Sequence, residues 1–293
     1  LKLISSNMPI GIKYKANISA QLKSAVMFAG LNSYGNTTII ENHKSRDHTE
    51  NILKSNNQTI SIKNNKNKTI KIFGKNYLNS IKVDVPNDPS SAAFFSALTL
   101  LNKKSSLKIK NVGLNPTRTG FYQLLKSQGA KIKFINVKKN NNELRGDILI
   151  RNCKLKPIFA SKKYYVNTTD EYPILFVLAA LIKGTSIFKG IGDLANKESN
   201  RIKEMQKVLK QIGIKSKIYG DKFIINGKGL IDASDKKINV PNLGDHRICM
   251  STFVLAALTG AKTKIKNFET VYTSSPSFLN IMKKLGAKFE TKI

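Results

Sequence analysis

The stretch Asp170–Gly184, DEYPILFVLAALIKG, decides the fold. After its acidic opening, every residue from Tyr172 to Ile182 is apolar, so a helix built from it has no polar face to give to water and must be buried on all sides. The run is too short to span a bilayer, so the burial has to be supplied by protein. Three other stretches share the layout: Ser19–Leu31 (SAQLKSAVMFAGL), Asp88–Leu101 (DPSSAAFFSALTLL) and Asp245–Gly260 (DHRICMSTFVLAALTG). Their starts recur at roughly 70 to 80 residues, too long for a solenoid repeat and suited to a small α/β unit.

Each helix opens on a polar residue. Ser19, Asp88 and Asp245 stand where a side-chain acceptor satisfies the first free backbone N–H groups, and Pro89 occupies the first helical position, where its missing N–H costs nothing. Asp170 holds the corresponding place, and spacing alone favours a capping role there too. The partner helices are amphipathic. In ESNRIKEMQKVLKQIG (198–213), Ile202, Met205, Val208, Leu209 and Ile212 recur at helical spacing while Lys203, Lys207 and Lys210 face away, and Gly213 supplies a stop. FYQLLKSQGA (121–130) and FLNIMKKLGA (278–287) repeat that ending. Strand-like runs such as TSIFKGI, IKSKIYG and KFIING lie between the helices, so each unit reads β-α-β-α-β-β. The fold class is α+β, with an internal pseudo-threefold and sheets wrapped about buried central helices.

The chain has 293 residues, enough for two domains that each bury a core. No run is long enough for a membrane span and no signal peptide is visible, which predicts a cytoplasmic protein. Cys153 and Cys249 lack metal-ligand spacing and read as buried free thiols, and His43, His48 and His246 are too scattered for a metal site. A net charge of +32 would ordinarily raise nucleic-acid binding. Here the lysines are spread along the whole chain among Asn and Ile, as in NNKNKTIKI, with no aromatic residues interleaved in a basic stripe. They read as solvated faces that also attract small anions.

The chemistry lies at the helix openings. A helix N-terminus presents free N–H groups and the positive end of its dipole. Arg46, Arg118, Arg201 and Arg247 stand near these openings, and an arginine fork takes carboxylate or phosphate oxygens in pairs, so the expected ligand is polyanionic. Asp170 and Glu198 are the candidate acid/base pair. Spacing does not say whether they meet.

The runs SAQLKSA (19–25), SRDHTE (45–50), VPNDPSSAAFF (85–95), NPTRTG (115–120), DEYPIL (170–175), KESNR (197–201) and GDHRICMS (244–251) resemble, in order and in spacing, the 5-enolpyruvylshikimate-3-phosphate (EPSP) synthase family, with wording closest to the bacterial branch that includes glyphosate-tolerant enzymes. The resemblance implies a two-domain enolpyruvyl transferase fold, an inside-out α/β barrel of six β-α-β-α-β-β units. On that template residues 1–84 are the last unit of one domain and 85–293 belong to the other, with the active site in the cleft between them. It implies transfer of the enolpyruvyl group of phosphoenolpyruvate to the 5-hydroxyl of shikimate 3-phosphate. By position, Ser19, Ala20, Gln21, Arg46, Asp170 and Lys197 would hold shikimate 3-phosphate, and Gln21, Arg201 and Arg247 would hold phosphoenolpyruvate. Asp170 and Glu198 would move protons. No metal or organic cofactor, nucleic acid or membrane partner is implied, and the family default is a monomer.

UDP-N-acetylglucosamine enolpyruvyl transferase shares the fold, but SRDHTE and NPTRTG favour the shikimate enzyme. A non-catalytic binding domain derived from the enzyme is disfavoured because Asp170, Glu198 and Arg201 are all present. Three departures from the family pattern stand out. Ala195-Asn196 replaces the usual Arg-Val before Lys197, and Asn87 replaces a glycine, which a left-handed turn would tolerate. The family's N-terminal part, with its Lys-Ser segment and Gly-rich loop, has no counterpart here, so the 293 residues read as a fragment expected to be inactive and poorly stable alone.

Overall fold

Period-two burial marks three of the four strands of the first repeat, and helical spacing marks what lies between them. In this computed structural model, which describes every residue except Leu1, Leu3, Ser5, Asn57, Lys66, Lys292 and Ile293, strand β1 (Lys13–Ala16) leads into helix α1 (Ala20–Asn32), then β2 (Asn36–Glu41), α2 (His48–Leu53), β3 (Ile60–Asn64) and β4 (Lys68–Phe73). The sheet order is β1-β2-β4-β3, with β1 parallel to β2 and the other two pairs antiparallel. Met27 and Leu31 from α1 pack on Ile39, Ile70 and Ile72 of the sheet face and on Leu53 of α2. This helix is less enclosed than its sequence suggested, since Leu22 and Phe28 remain more than half exposed.

The second repeat runs through α3 (Pro89–Leu101), β5 (Ser106–Gly113), α4 (Gly120–Ser127), β6 (Ile132–Asn140) and β7 (Glu143–Arg151), with strand order β5-β7-β6. Asn87 sits in a parallel bridge with Val112 and donates from its side chain to the Lys110 carbonyl at 3.0 Å. Pairing, and not a left-handed turn, accommodates the asparagine. The third repeat is β8 (Phe159–Ala160), α5 (Tyr165–Thr168), α6 (Tyr172–Ala180), β9 (Gly184–Phe188), α7 (Arg201–Gln211), β10 (Lys215–Tyr219) and β11 (Lys222–Gly227). Its sheet, β10-β11-β9-β8, reproduces the first: a parallel outer pair, then two antiparallel pairs. The fourth repeat supplies β12 (Lys237–Val240), α8 (His246–Thr259), β13 (Lys262–Ile265) and α9 (Phe278–Lys284), with β12 parallel to β13.

All nine residues of α6 are buried, as the run from Asp170 predicts, and α3, α6 and α8 pack against one another. Phe176 of α6 meets Phe188 and Phe223 edge-on, with ring centroids 5.0 and 4.8 Å apart. Burying such a side chain stabilises by about 1.5–3 kcal/mol, and truncating it to alanine typically costs ~3–5 kcal/mol. Ser19, Asp88 and Asp245 cap their helices as expected, accepting from Leu22, Ser91 and Arg247 N–H respectively. Asp170 does not cap. The helix begins two residues later with Glu171 at the N-cap and no side-chain cap bond, because the turn through α5 delivers the chain already in helical geometry and the Glu171 N–H bonds back to the Thr168 carbonyl. The three amphipathic helices end alike, each with a glycine at positive φ just past the cap: Gly129, Gly213 and Gly286. Cys249 is buried, but Cys153 is only half-buried, beside the Lys131 N–H.

The chain divides into two compact units. Residues 1–86, 113–118 and 137–145 form one, and residues 87–112, 119–136 and 146–293 form the other. No helix among the described residues is long and apolar enough to cross a membrane.

Candidate active site

In the larger unit the site is built on two helix openings. Asp245 caps α8 with Oδ1, and its Oδ2 accepts from Arg201 Nε at 3.0 Å and from Ser199 Oγ at 2.9 Å. Asn200 caps α7, accepting from the Lys203 N–H at 3.1 Å, and so sets Arg201 as the first helical residue. The Arg201 side chain is 1% exposed. Its Nη2 donates to Glu198 Oε2 at 2.5 Å, and its Nη1 lies 3.7 Å from Asp170 Oδ1. The two carboxylates that the sequence could not bring together thus meet on one guanidinium. Burial alone would lower the basicity of Arg201, but Asp245 first and then Glu198 and Asp170 hold it above the usual value. It stays charged.

Arg201 Nη1 makes no hydrogen bond, nor do Nε and Nη1 of the buried Arg247, whose guanidinium carbon stands 5.9 Å from the ring centroid of Phe94. Buried donors left unmatched cost roughly 1–3 kcal/mol each, and more when charged. Two arginines with spare N–H groups, next to a helix opening, are therefore suited to an anion. Lys197 is fixed from the other side. Its Nζ bonds Asp193 Oδ2 at 2.9 Å, and the same oxygen accepts from Tyr165 Oη at 2.6 Å. The Tyr165 bond is the main cause that holds Asp193 below its usual carboxylate range. His246 is pushed below the usual imidazole range, by burial first and then by Arg247.

The smaller unit places Ser19, Ala20 and Gln21 in the first turn of α1 and Arg46 in the loop between β2 and α2. Gln21 is exposed, and the other three are half-buried. Ser24 Oγ and Thr49 Oγ1, 2.7 Å apart, tie the early turns of α1 and α2 to each other. Beneath them lies a network that sequence reasoning missed. Lys23, with no exposed surface, donates to Glu41 Oε1 at 2.8 Å and to Glu50 Oε1 at 2.7 Å, and Lys68 reaches the same two carboxylates. The signal was present: Lys23 falls in phase with buried Met27, Gly30 and Leu31, and Glu41 in phase with buried Thr37 and Ile39. A second missed cluster joins NPTRTG to SRDHTE. Asn115 donates to Asp47 at 2.7 Å and to Glu143 at 3.0 Å, and Glu143 also meets His48 and Asn51. Arg118 is held in the same turn by its backbone bond to the Asn115 carbonyl. No group of three His, Cys, Asp or Glu side chains among the described residues is placed to hold a metal ion.

The EPSP synthase (3-phosphoshikimate 1-carboxyvinyltransferase) family model matches residues 4–282. A 3-phosphoshikimate 1-carboxyvinyltransferase from Paramagnetospirillum magneticum is 37% identical over 291 residues, covering 98% of this chain and 65% of the relative. One from Zymomonas mobilis is 37% identical over 286 residues, covering 96% of this chain and 63% of the relative. The solved EPSP synthase of Acinetobacter baumannii superposes with a TM-score of 0.85 at 33% identity, covering 98% of this chain and 65% of that one. The chain spans a little under two thirds of the length of these relatives.

Proposed function

This chain belongs to the EPSP synthase (3-phosphoshikimate 1-carboxyvinyltransferase) family, and from that premise we propose that it forms part of an enzyme transferring the enolpyruvyl group of phosphoenolpyruvate to the 5-hydroxyl of shikimate 3-phosphate, with release of phosphate. The observation that carries the reading is Arg201, which joins Asp170, Glu198 and Asp245 while keeping one Nη1 without a hydrogen bond, beside an Arg247 with two such nitrogens.

The roles are those that the family resemblance gives these positions. Arg201 and Arg247 clamp the carboxylate and phosphate of phosphoenolpyruvate, with Gln21 assisting. Ser19, Ala20, Gln21 and Arg46 take shikimate 3-phosphate, Ser19 and Arg46 near its phosphate. Asp170 and Lys197 hold the same substrate. Asp170 removes the proton of the attacking hydroxyl, and Glu198 exchanges a proton at the methylene carbon. Addition gives a tetrahedral phospho-ketal; loss of phosphate and of that proton restores the enol ether. Positioning and fixed charge supply the catalysis, so the reading needs no metal or organic cofactor. Residues 1–84 are the last repeat of one domain and 85–293 belong to the other; the grouping of residues 1–86 in one compact unit supports this, while residues 113–118 and 137–145 group with that unit as well. The enzyme acts in the cytoplasm as a monomer on two small anions.

Phosphate release from phosphoenolpyruvate by the full-length protein tests this. It should depend on shikimate 3-phosphate and fall by at least a hundredfold in Asp170→Ala, the lower bound for losing a positioned base. Release that ignores shikimate 3-phosphate, or survives the substitution intact, contradicts the reading.

A further inference from the structure

Glu41 is enclosed by donors. Its Oε1 accepts from Lys23 Nζ at 2.8 Å, from the Ser45 N–H at 2.9 Å and from Ser45 Oγ at 2.7 Å, while Lys68 Nζ stands 3.3 Å from Oε2. Four donor groups face it, an environment suited to a carboxylate. An amide at this place would turn its NH2 toward a donor whichever way it was flipped. Glu41, Lys23 and Ser45 are all essentially without exposed surface, although Ser45 lies in a loop.

A network of buried charges is costly to build and weak evidence of stability by itself, since well-packed apolar residues often do as well. Its geometry points to something more specific. Lys23 stands one turn below Ser19, with its N–H on the Ser19 carbonyl at 3.2 Å, so it belongs to the helix that presents Ser19, Ala20 and Gln21. Ser45 immediately precedes Arg46. The chain of contacts Ser19–Lys23–Glu41–Ser45–Arg46 therefore links the two groups assigned to the shikimate 3-phosphate phosphate. Glu50 of α2 closes the frame from below through Lys23 and Lys68.

We propose that Lys23, Glu41 and Ser45 are positioning residues: the buried Lys23–Glu41 pair clamps the loop between β2 and α2 through Ser45 and so holds Arg46 in register with the first turn of α1. This rests on the functional reading above. It assigns these three residues to recognition of the phosphorylated co-substrate and to no step of bond making.

The test is steady-state kinetics on the full-length protein with both substrates varied, alongside thermal melting. Ser45→Ala removes one hydrogen bond to the carboxylate and should raise KM for shikimate 3-phosphate roughly tenfold, the scale of a bond to a charged acceptor. KM for phosphoenolpyruvate and kcat should change less than twofold. Ser45→Thr, which keeps the hydroxyl, should recover most of the loss. Glu41→Gln should give the same selective rise and also lower the melting temperature. If Ser45→Ala leaves KM for shikimate 3-phosphate unchanged, or moves both KM values together with the melting temperature, the network is merely structural and the inference is overturned. An unsubstituted protein that turns over normally while the variants fail this pattern sinks the inference alone. An unsubstituted protein without shikimate-dependent turnover sinks the functional reading and the inference with it.

Discussion

One guanidinium serving three carboxylates explains more of this site than any single candidate acid or base. Arg201 is buried, so each partner it loses leaves charge uncompensated, and its planar fork is what lets Nε, Nη1 and Nη2 address different groups. Arg247 has the simpler task, with two nitrogens free of hydrogen bonds. Arg247→Lys should therefore spare folding and cost roughly 1.5–3 kcal/mol of transition-state binding, about 10- to 150-fold in kcat/KM for phosphoenolpyruvate, because a lysine cannot replace two donors in one plane. Substrate titrations of the full-length variant check this. A loss confined to shikimate 3-phosphate would contradict the assignment. At this scale the sequence showed the arginines and the acid/base candidates through their motifs. It did not show that Asp170, Glu198 and Asp245 share Arg201, since Asp170 and Asp245 lie 75 positions apart in the chain and only the packing of α6, α7 and α8 brings them to one place.

Helix openings carry different loads although they look alike in sequence. Asn200 caps α7 through one bond to the Lys203 N–H, whereas Asp245 caps α8 and also anchors the buried Arg201. Asn200→Ala should cost about 1 kcal/mol, the ordinary worth of a cap. Asp245→Ala should cost about 3–5 kcal/mol, because it strips a buried cation of its main partner. Urea unfolding of the two variants gives the comparison, and equal costs would show that the Asp245–Arg201 pair contributes nothing beyond capping. The buried helices α3, α6 and α8 and the glycine stops were legible from apolar runs and from Gly129, Gly213 and Gly286, whereas the apolar run of α1 overstated its burial. The opening at Asp170 was misread, because a preceding turn can satisfy a helix start without a side chain and leaves no mark in residue type. Lys23 was passed over for a related reason: a lysine in a buried phase reads as a solvated one unless its partners, Glu41 and Glu50, are known to lie opposite.

At the scale of the whole molecule, the net charge of +32 sits beside acidic groups held unusually tightly. Burial would raise Glu41, but bonds from Lys23 and Ser45 outweigh it; burial would raise Glu143, but bonds from His48, Asn51 and Asn115 outweigh it; both end below their usual value of 4.5. The folded chain thus binds fewer protons than the unfolded chain over that range, and stability rises with pH through it. The contribution is complete above about pH 5 and is lost as pH falls through the lowered folded values. Urea midpoints measured from pH 6 down to pH 3 should fall most steeply below pH 4.5, the usual value of both groups, and Glu41→Gln should flatten that fall. A midpoint that rises on acidification would contradict the network. The repeat plan was readable because periodicity survives any change of surface residue. Residues 113–118 and 137–145 group with the first unit through Asn115 and Glu143 and not through chain order, a contact pattern that leaves no mark in the sequence.

The most direct measurement is phosphorus NMR of the full-length protein incubated with phosphoenolpyruvate and shikimate 3-phosphate. The account predicts that the phosphoenolpyruvate signal is replaced by inorganic phosphate in step with a new phosphomonoester signal from the enol ether, and that Glu198→Gln slows both together. Phosphate appearing without the new phosphomonoester, or no change in a folded protein that binds both substrates, would contradict it.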